Sequence, residues 1–131
     1  MEALVIKGLK MVVLPVTHWE TSRKWYMEKL GLHPVYEAPD DYWGEYSFGE
    51  GSGATIGLWG LPKGYSIVLG DGVKQVAPQP YIEVEDLKAA VAELEKRGIE
   101  FEHVFTDEEF RTARFRDPEG HVLYLYEYAA S

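Results

Sequence analysis

The chain has 131 residues, no cysteine and a formal charge of −9. That length suits one domain with one core. The missing cysteine excludes disulfides and zinc–thiolate sites, and the acidic balance argues against nucleic-acid binding through phosphate attraction.

The start, MEALVIKGLKMVVLPV, lacks a basic region and a small-residue cleavage site and reads as a first strand. No apolar run approaches the ~20 residues that span a bilayer, so no membrane partner is expected and the expected location is cytoplasmic. After Val16 the chain predicts a helix of about three turns. Thr17-His18-Trp19-Glu20 fits a capping box at its start, Trp25, Tyr26 and Leu30 form an apolar stripe, and Gly31 suits the left-handed residue that ends it. Extended segments follow at His33 to Pro39, Tyr42 to Phe48 and Ala54 to Leu61, separated by Asp-Asp and Gly-Glu-Gly-Ser-Gly turns.

Residues 63 to 78 read as a linker, with a short strand expected at Ser66 to Leu69. The same order then recurs. A strand ends at Val84, Asp86 can cap a helix, Leu87, Val91 and Leu94 form its stripe, and Gly98 ends it. Strands are expected at Glu100 to Phe105, Arg111 to Arg116 and His121 to Tyr128. The valine-to-glycine spacings in the two halves are 15 and 14 residues. The chain thus reads as one domain of two modules, each strand-helix-strand-strand-strand, over about 8–62 and 79–128.

The paired module, the Leu-Gly-Leu after the first helix and the stretch Arg114-Phe-Arg-Asp-Pro-Glu-Gly-His-Val-Leu-Tyr-Leu125 together resemble the glyoxalase/bleomycin-resistance/extradiol-dioxygenase superfamily, the vicinal oxygen chelate proteins. The resemblance covers nearly the whole chain. It implies an α+β fold in which two βαβββ modules curl mixed sheets around a cavity, usually in a homodimer. Function does not follow from that fold alone.

Most enzymes of the superfamily share a divalent metal. The resemblance implies ligands from a first strand, seven residues before the acidic residue that opens the helix, and from a last strand, seven after the Asp of the DPxG turn. In this chain those positions are Met11, Gly57, Gln79 and Tyr124. A thioether, a missing side chain, an amide and a phenol do not suit a hard dication, so no metal and no cofactor are expected. The four histidines show no HxH or HxxxH spacing and read as surface or satisfied side chains.

Strand alternation then divides the faces. If Met11 and Tyr124 point into the cavity, so do Val13, Thr55, Gly57, Trp59, Gln79, Tyr81, Val122, Tyr126 and Tyr128, while Val12, Leu14, Val16, Ile82, Val84, Leu123 and Leu125 pack beneath the helices. Trp43 and Tyr46 are expected to add to the cavity, and Arg114 and Arg116 to reach its rim. Glu83 is expected to face away and Glu127 to lie on the helix side. The expected ligand site is therefore Met11, Val13, Trp43, Tyr46, Gly57, Trp59, Gln79, Tyr81, Arg114, Tyr124 and Tyr126. Its aromatic, weakly polar lining suits a small aromatic molecule, including a cationic one. The resemblance, in particular to the metal-free bleomycin-resistance type, implies metal-independent binding or sequestration of such a molecule, as in antibiotic resistance. No residue is assigned to catalysis. Two other readings stay open: a metal-dependent lyase, isomerase or dioxygenase with an atypical site, and a regulatory or interaction module.

Overall fold

The computed structural model describes residues 5–50, 53–61, 78–106 and 111–128. The expected linker strand at Ser66 to Leu69 lies outside them. The first half forms β1 (Met11–Val16), α1 (Trp19–Glu28), β2 (His33–Ala38), a short 3-10 turn, β3 (Trp43–Ser47) and β4 (Thr55–Gly60). The second forms β5 (Tyr81–Glu83), α2 (Leu87–Lys96), β6 (Phe101–Thr106), β7 (Arg111–Arg116) and β8 (Val122–Tyr126). Two four-stranded mixed sheets result, ordered β1-β4-β3-β2 and β5-β8-β7-β6. In each, the first and last strands run parallel and the other pairs antiparallel.

The two halves match in fine detail. Gly31 and Gly98 end their helices at φ 81° and 94°, where a glycine avoids the steric cost of a Cβ. Four residues after each glycine the strand register shifts, passing over Val35 in β2 and Glu102 in β6. Such an offset is a β-bulge, which bends the outer strand.

Each sheet turns one face toward the helices. Leu14, Val16, Tyr46, Ile56 and Leu58 from the first sheet, and Ala113, Phe115, Leu123 and Leu125 from the second, join Trp19, Tyr26, Leu87, Val91 and Leu94 in one buried cluster. Aliphatic burial of this kind is the main favourable term in folding. Trp25 meets Phe115 at 6.2 Å between ring centroids, so α1 packs against the second sheet as well as the first.

The helix starts differ from one another. Asp86 caps α2, accepting from Ala89 N at 3.1 Å, as its sequence implies. The capping box expected at α1 does not form: His18 is the cap residue and makes no side-chain capping bond. Instead Glu119, in the turn before β8, accepts from His18 N at 2.7 Å and from Thr17 N at 2.8 Å. Thr17 Oγ also donates to this carboxylate. Glu20 pairs with Arg23 at 3.4 Å. A carboxylate from the other module takes the local partner's place: it reaches the N–H groups of the cap residue His18 and of Thr17 before it, and its charge complements the helix dipole.

Candidate functional site

The faces turned away from the helices carry the candidate site. On the first sheet, pairing places Met11 beside Thr55, Val13 beside Gly57, Trp43 beside Trp59 and Glu45 beside Gly57. Paired residues share a face, so these side chains form one surface. Gly57 lies beneath it. A Cβ built there would come within 2.6 Å of Met11 Sδ, 2.8 Å of Trp43 Cη2 and 3.2 Å of a Val13 methyl. The missing side chain lets the thioether and the indole edge close over the strand. Trp59, 44% exposed, continues the surface toward solvent.

One carboxylate interrupts this apolar face. Glu45 accepts from Thr55 Oγ at 2.7 Å and pairs with Lys10 Nζ at 3.4 Å. The Thr55 hydroxyl first, then Lys10, holds its carboxyl below the ordinary Glu range.

On the second sheet, Tyr81 pairs with Tyr124 and Glu83 with Tyr126. The Tyr81 and Tyr124 rings stack at 4.5 Å with 12° between planes, and Tyr126 meets Tyr81 and Tyr128 edge-on. Burial, then the neighbouring Tyr124, raises the Tyr81 phenol above its ordinary value, keeping it a neutral hydrogen-bonding group. Tyr81 is nonetheless 57% exposed. Arg114 pairs with Tyr124 across β7 and β8. Its Nε lies 3.1 Å from Glu102 Oε2, an ion pair whose alignment is not that of a hydrogen bond. Arg116 binds the same carboxylate and donates to Gly120 O at 3.1 Å.

A cleft of about 850 Å³ opens between the β1/β4 side of the first sheet and β5, lined by Val12, Thr55, Ile56, Gln79, Tyr81 and Glu83 among others. Of the expected site residues, Gln79 and Tyr81 reach it. Met11, Val13, Trp43, Gly57 and Trp59 share the open face of the first sheet; Tyr81, Arg114, Tyr124 and Tyr126 share that of the second.

Tyr46 belongs to neither open face. It pairs with Ile56 on the helix side and is fully buried. Its hydroxyl donates to Glu37 at 2.7 Å, and Arg23 grips the same carboxylate through Nε and Nη2 at 2.5 and 2.9 Å. Burial, then Glu37, pushes its phenol well up. Glu83 corrects a second expectation, since its pairing with Tyr126 puts it on the tyrosine face. Glu45 was missed altogether. Alternation carried both signals: 43 and 46 differ in parity, whereas 43 and 45, like 81 and 83, agree.

The turn that precedes β8 holds the modules together. Asp117 accepts from Tyr26 Oη at 2.7 Å and from the backbone of Glu119 and His121 at 2.9 and 2.8 Å. His121 is buried, and its Nε2 lies 2.7 Å from Pro15 O. It is a satisfied structural histidine. Burial raises the Asp117 carboxyl, with His121 and its hydrogen-bond donors opposing that shift.

The model of the Glyoxalase/Bleomycin resistance protein/Dioxygenase superfamily matches residues 8–125. This chain belongs to that superfamily. No curated protein matches the sequence. Among solved structures, TnmS3, an antibiotic binding protein from Streptomyces sp. CB03234, is similar at TM-score 0.74 and 20% identity, over 95% of this chain and 98% of that one. UcmS2 is similar at 0.77 and 21%, over 93% and 98%. A lactoylglutathione lyase from Agrobacterium tumefaciens is similar at 0.69 and 14%, over 95% and 96%. The superfamily fold thus extends across the chain, and it is shared with a binder and an enzyme alike.

The pairing also aligns the two modules. Val13 faces Gly57 as Tyr81 faces Tyr124, and Met11 precedes Val13 by the step that separates Gln79 from Tyr81. Met11 with Gln79, and Gly57 with Tyr124, are therefore equivalent positions in the two halves.

Proposed function

We propose that this protein binds and sequesters a small, flat, largely apolar molecule, without a metal and without chemical conversion. The observation that carries this reading is the donor set at the four equivalent positions. A superfamily metal would need oxygen or imidazole donors from Met11, Gly57, Gln79 and Tyr124, and these residues do not fit one. The place of a carboxylate above Gly57 is filled by Met11 and Trp43. Tyr124 would have to give up a phenolic proton while stacked on another tyrosine. The described residues include no group of three or more His, Asp or Glu side chains suited to an ion.

What remains on the open faces is recognition chemistry. Tryptophan, methionine and tyrosine offer flat, polarisable contact area, and a few polar groups fix orientation. That TnmS3 is an antibiotic binding protein supports a drug-like ligand for this chain. We further propose that two copies associate so that the tryptophan face of one meets the tyrosine face of the other, since each face alone is too open to enclose a ligand. No helix among the described residues is long and apolar enough to cross a membrane.

Titration calorimetry of the purified protein against panels of flat antibiotics and metabolites tests the binding, and sedimentation velocity tests the dimer. Metal analysis of protein prepared without chelators supplies the opposing outcome: one tightly held divalent ion per chain would replace this reading with the metal-dependent one.

A further inference from the structure

We infer that the tryptophan face selects a ligand bearing a positive charge, and that Glu45 is its specificity-determining contact. The inference rests on the binding reading above and names the ligand class for that same site.

Glu45 is the carboxylate set among Met11, Trp43, Gly57 and Trp59, and its side chain is 13% exposed. A largely buried charge is costly unless something answers it. Thr55 gives one hydrogen bond, and Lys10 the only described cation, at 3.4 Å. Lys10 is a weak answer. Its side chain is 76% exposed and it approaches from the segment before β1, so the ammonium stays solvated and is displaceable. The Lys10 ammonium thus marks a place a ligand cation would take, within reach of a carboxylate on the sheet face that carries Trp43 and Trp59, whose rings can attract cations.

On the second sheet the charges of the described arginines are already answered by carboxylates. The guanidinium groups of Arg114 and Arg116 both turn to Glu102, and Glu83 adds a further carboxylate to the tyrosine face. The ligand class is therefore a flat aromatic cation such as a protonated amine or aminoheterocycle, its ring on the indoles and its charged edge on Glu45.

Calorimetry with two tricyclic probes of similar shape tests this: 9-aminoacridine, a cation at neutral pH, and anthracene-9-carboxylate, an anion. The wild type is expected to favour the cation by about 10-fold or more, the worth of one charge-assisted hydrogen bond. Glu45→Gln keeps the Thr55 contact and should remove most of that preference. Lys10→Ala, at an exposed position, should tighten the cation by roughly two- to five-fold by removing its competitor. Equal affinity for both probes, or 9-aminoacridine binding unchanged in Glu45→Gln and in Lys10→Ala, overturns the cation assignment and leaves the flat-ligand reading standing. Binding of neither probe to the wild type overturns both.

Discussion

Removing the carboxylate of Glu119 tests whether the start of α1 depends on the second module. In Glu119→Ala, two backbone N–H groups and the Thr17 hydroxyl lose an ionised acceptor that is 10% exposed. A hydrogen bond to a charged group contributes about 1.5–3 kcal/mol, and loss of a helix cap costs about 0.5–2 kcal/mol. Water can reach Thr17 and His18, which are exposed, so these figures do not add; the expected loss is about 2–3 kcal/mol. For a chain of this size, that lowers Tm by roughly 6–15 °C. Glu20→Ala is the matched control. Glu20 sits where a local capping box would place it, yet its partner is Arg23, and an exposed pair of this kind contributes at most about 1 kcal/mol. Urea unfolding followed by tryptophan fluorescence compares the two variants. A loss in Glu20→Ala as large as in Glu119→Ala would refute the cross-module cap. The pH dependence gives a second check. Burial raises the Glu119 carboxyl, but the His18 and Thr17 donors outweigh it and hold the group below the ordinary value of 4.5. Its contribution is therefore full above that value and lost as pH falls through the folded pKa, so wild type and Glu119→Ala should converge in acid.

Gly57→Ala should destabilise by about 1–2 kcal/mol in urea unfolding, because its Cβ overlaps Met11 and Trp43, and Met11→Ala should recover part of that loss in the double variant. Tyr26→Phe leaves the buried Asp117 carboxylate without its side-chain donor and should cost about 1–3 kcal/mol, read as a lower denaturation midpoint. Tyr46→Phe should lower stability while leaving ligand affinity unchanged, and Tyr124→Ala should weaken affinity, because the first ring lies on the helix side and the second on the open face. Glu37, Glu45, Glu119 and Glu127 are all held below the ordinary glutamate value, so their combined stabilisation should fade below about pH 4.5 in an acid titration followed by near-UV circular dichroism.

Much of this architecture was legible in the sequence because it is set by short-range pattern. Repeated helix stripes, the glycines that end them and the DPEG turn each depend on a few neighbouring residues, and they located the paired modules. Period-two alternation sorted β1, β4, β5 and β8 into a helix-side face and an open face, as with Leu14 against Val13 and Leu125 against Tyr124. Two kinds of information were less accessible. Alternation shows that Trp43 and Tyr46 cannot share a face, but which of them is inward is fixed only by the pairing of β3 with β4; hence Tyr46 was placed on the wrong face and Glu45 was missed. The cap of α1 comes from a residue about a hundred positions away, and a plausible local partner, Glu20, masked it. The ligand itself leaves no local trace in the chain.

The bonds between Glu119 and the start of α1 span 101 and 102 residues. A contact of that range cannot guide early folding, because closing so long a loop costs chain entropy before any contact repays it. Each module has its own shorter-range sheet and helix, but the two share one buried cluster that only the second module completes. On a ribosome, the first helix must then wait for its cap until residue 119 has emerged. Until then the N–H groups of Thr17 and His18 have only water as acceptor, and the first module lacks the second module's share of the common core.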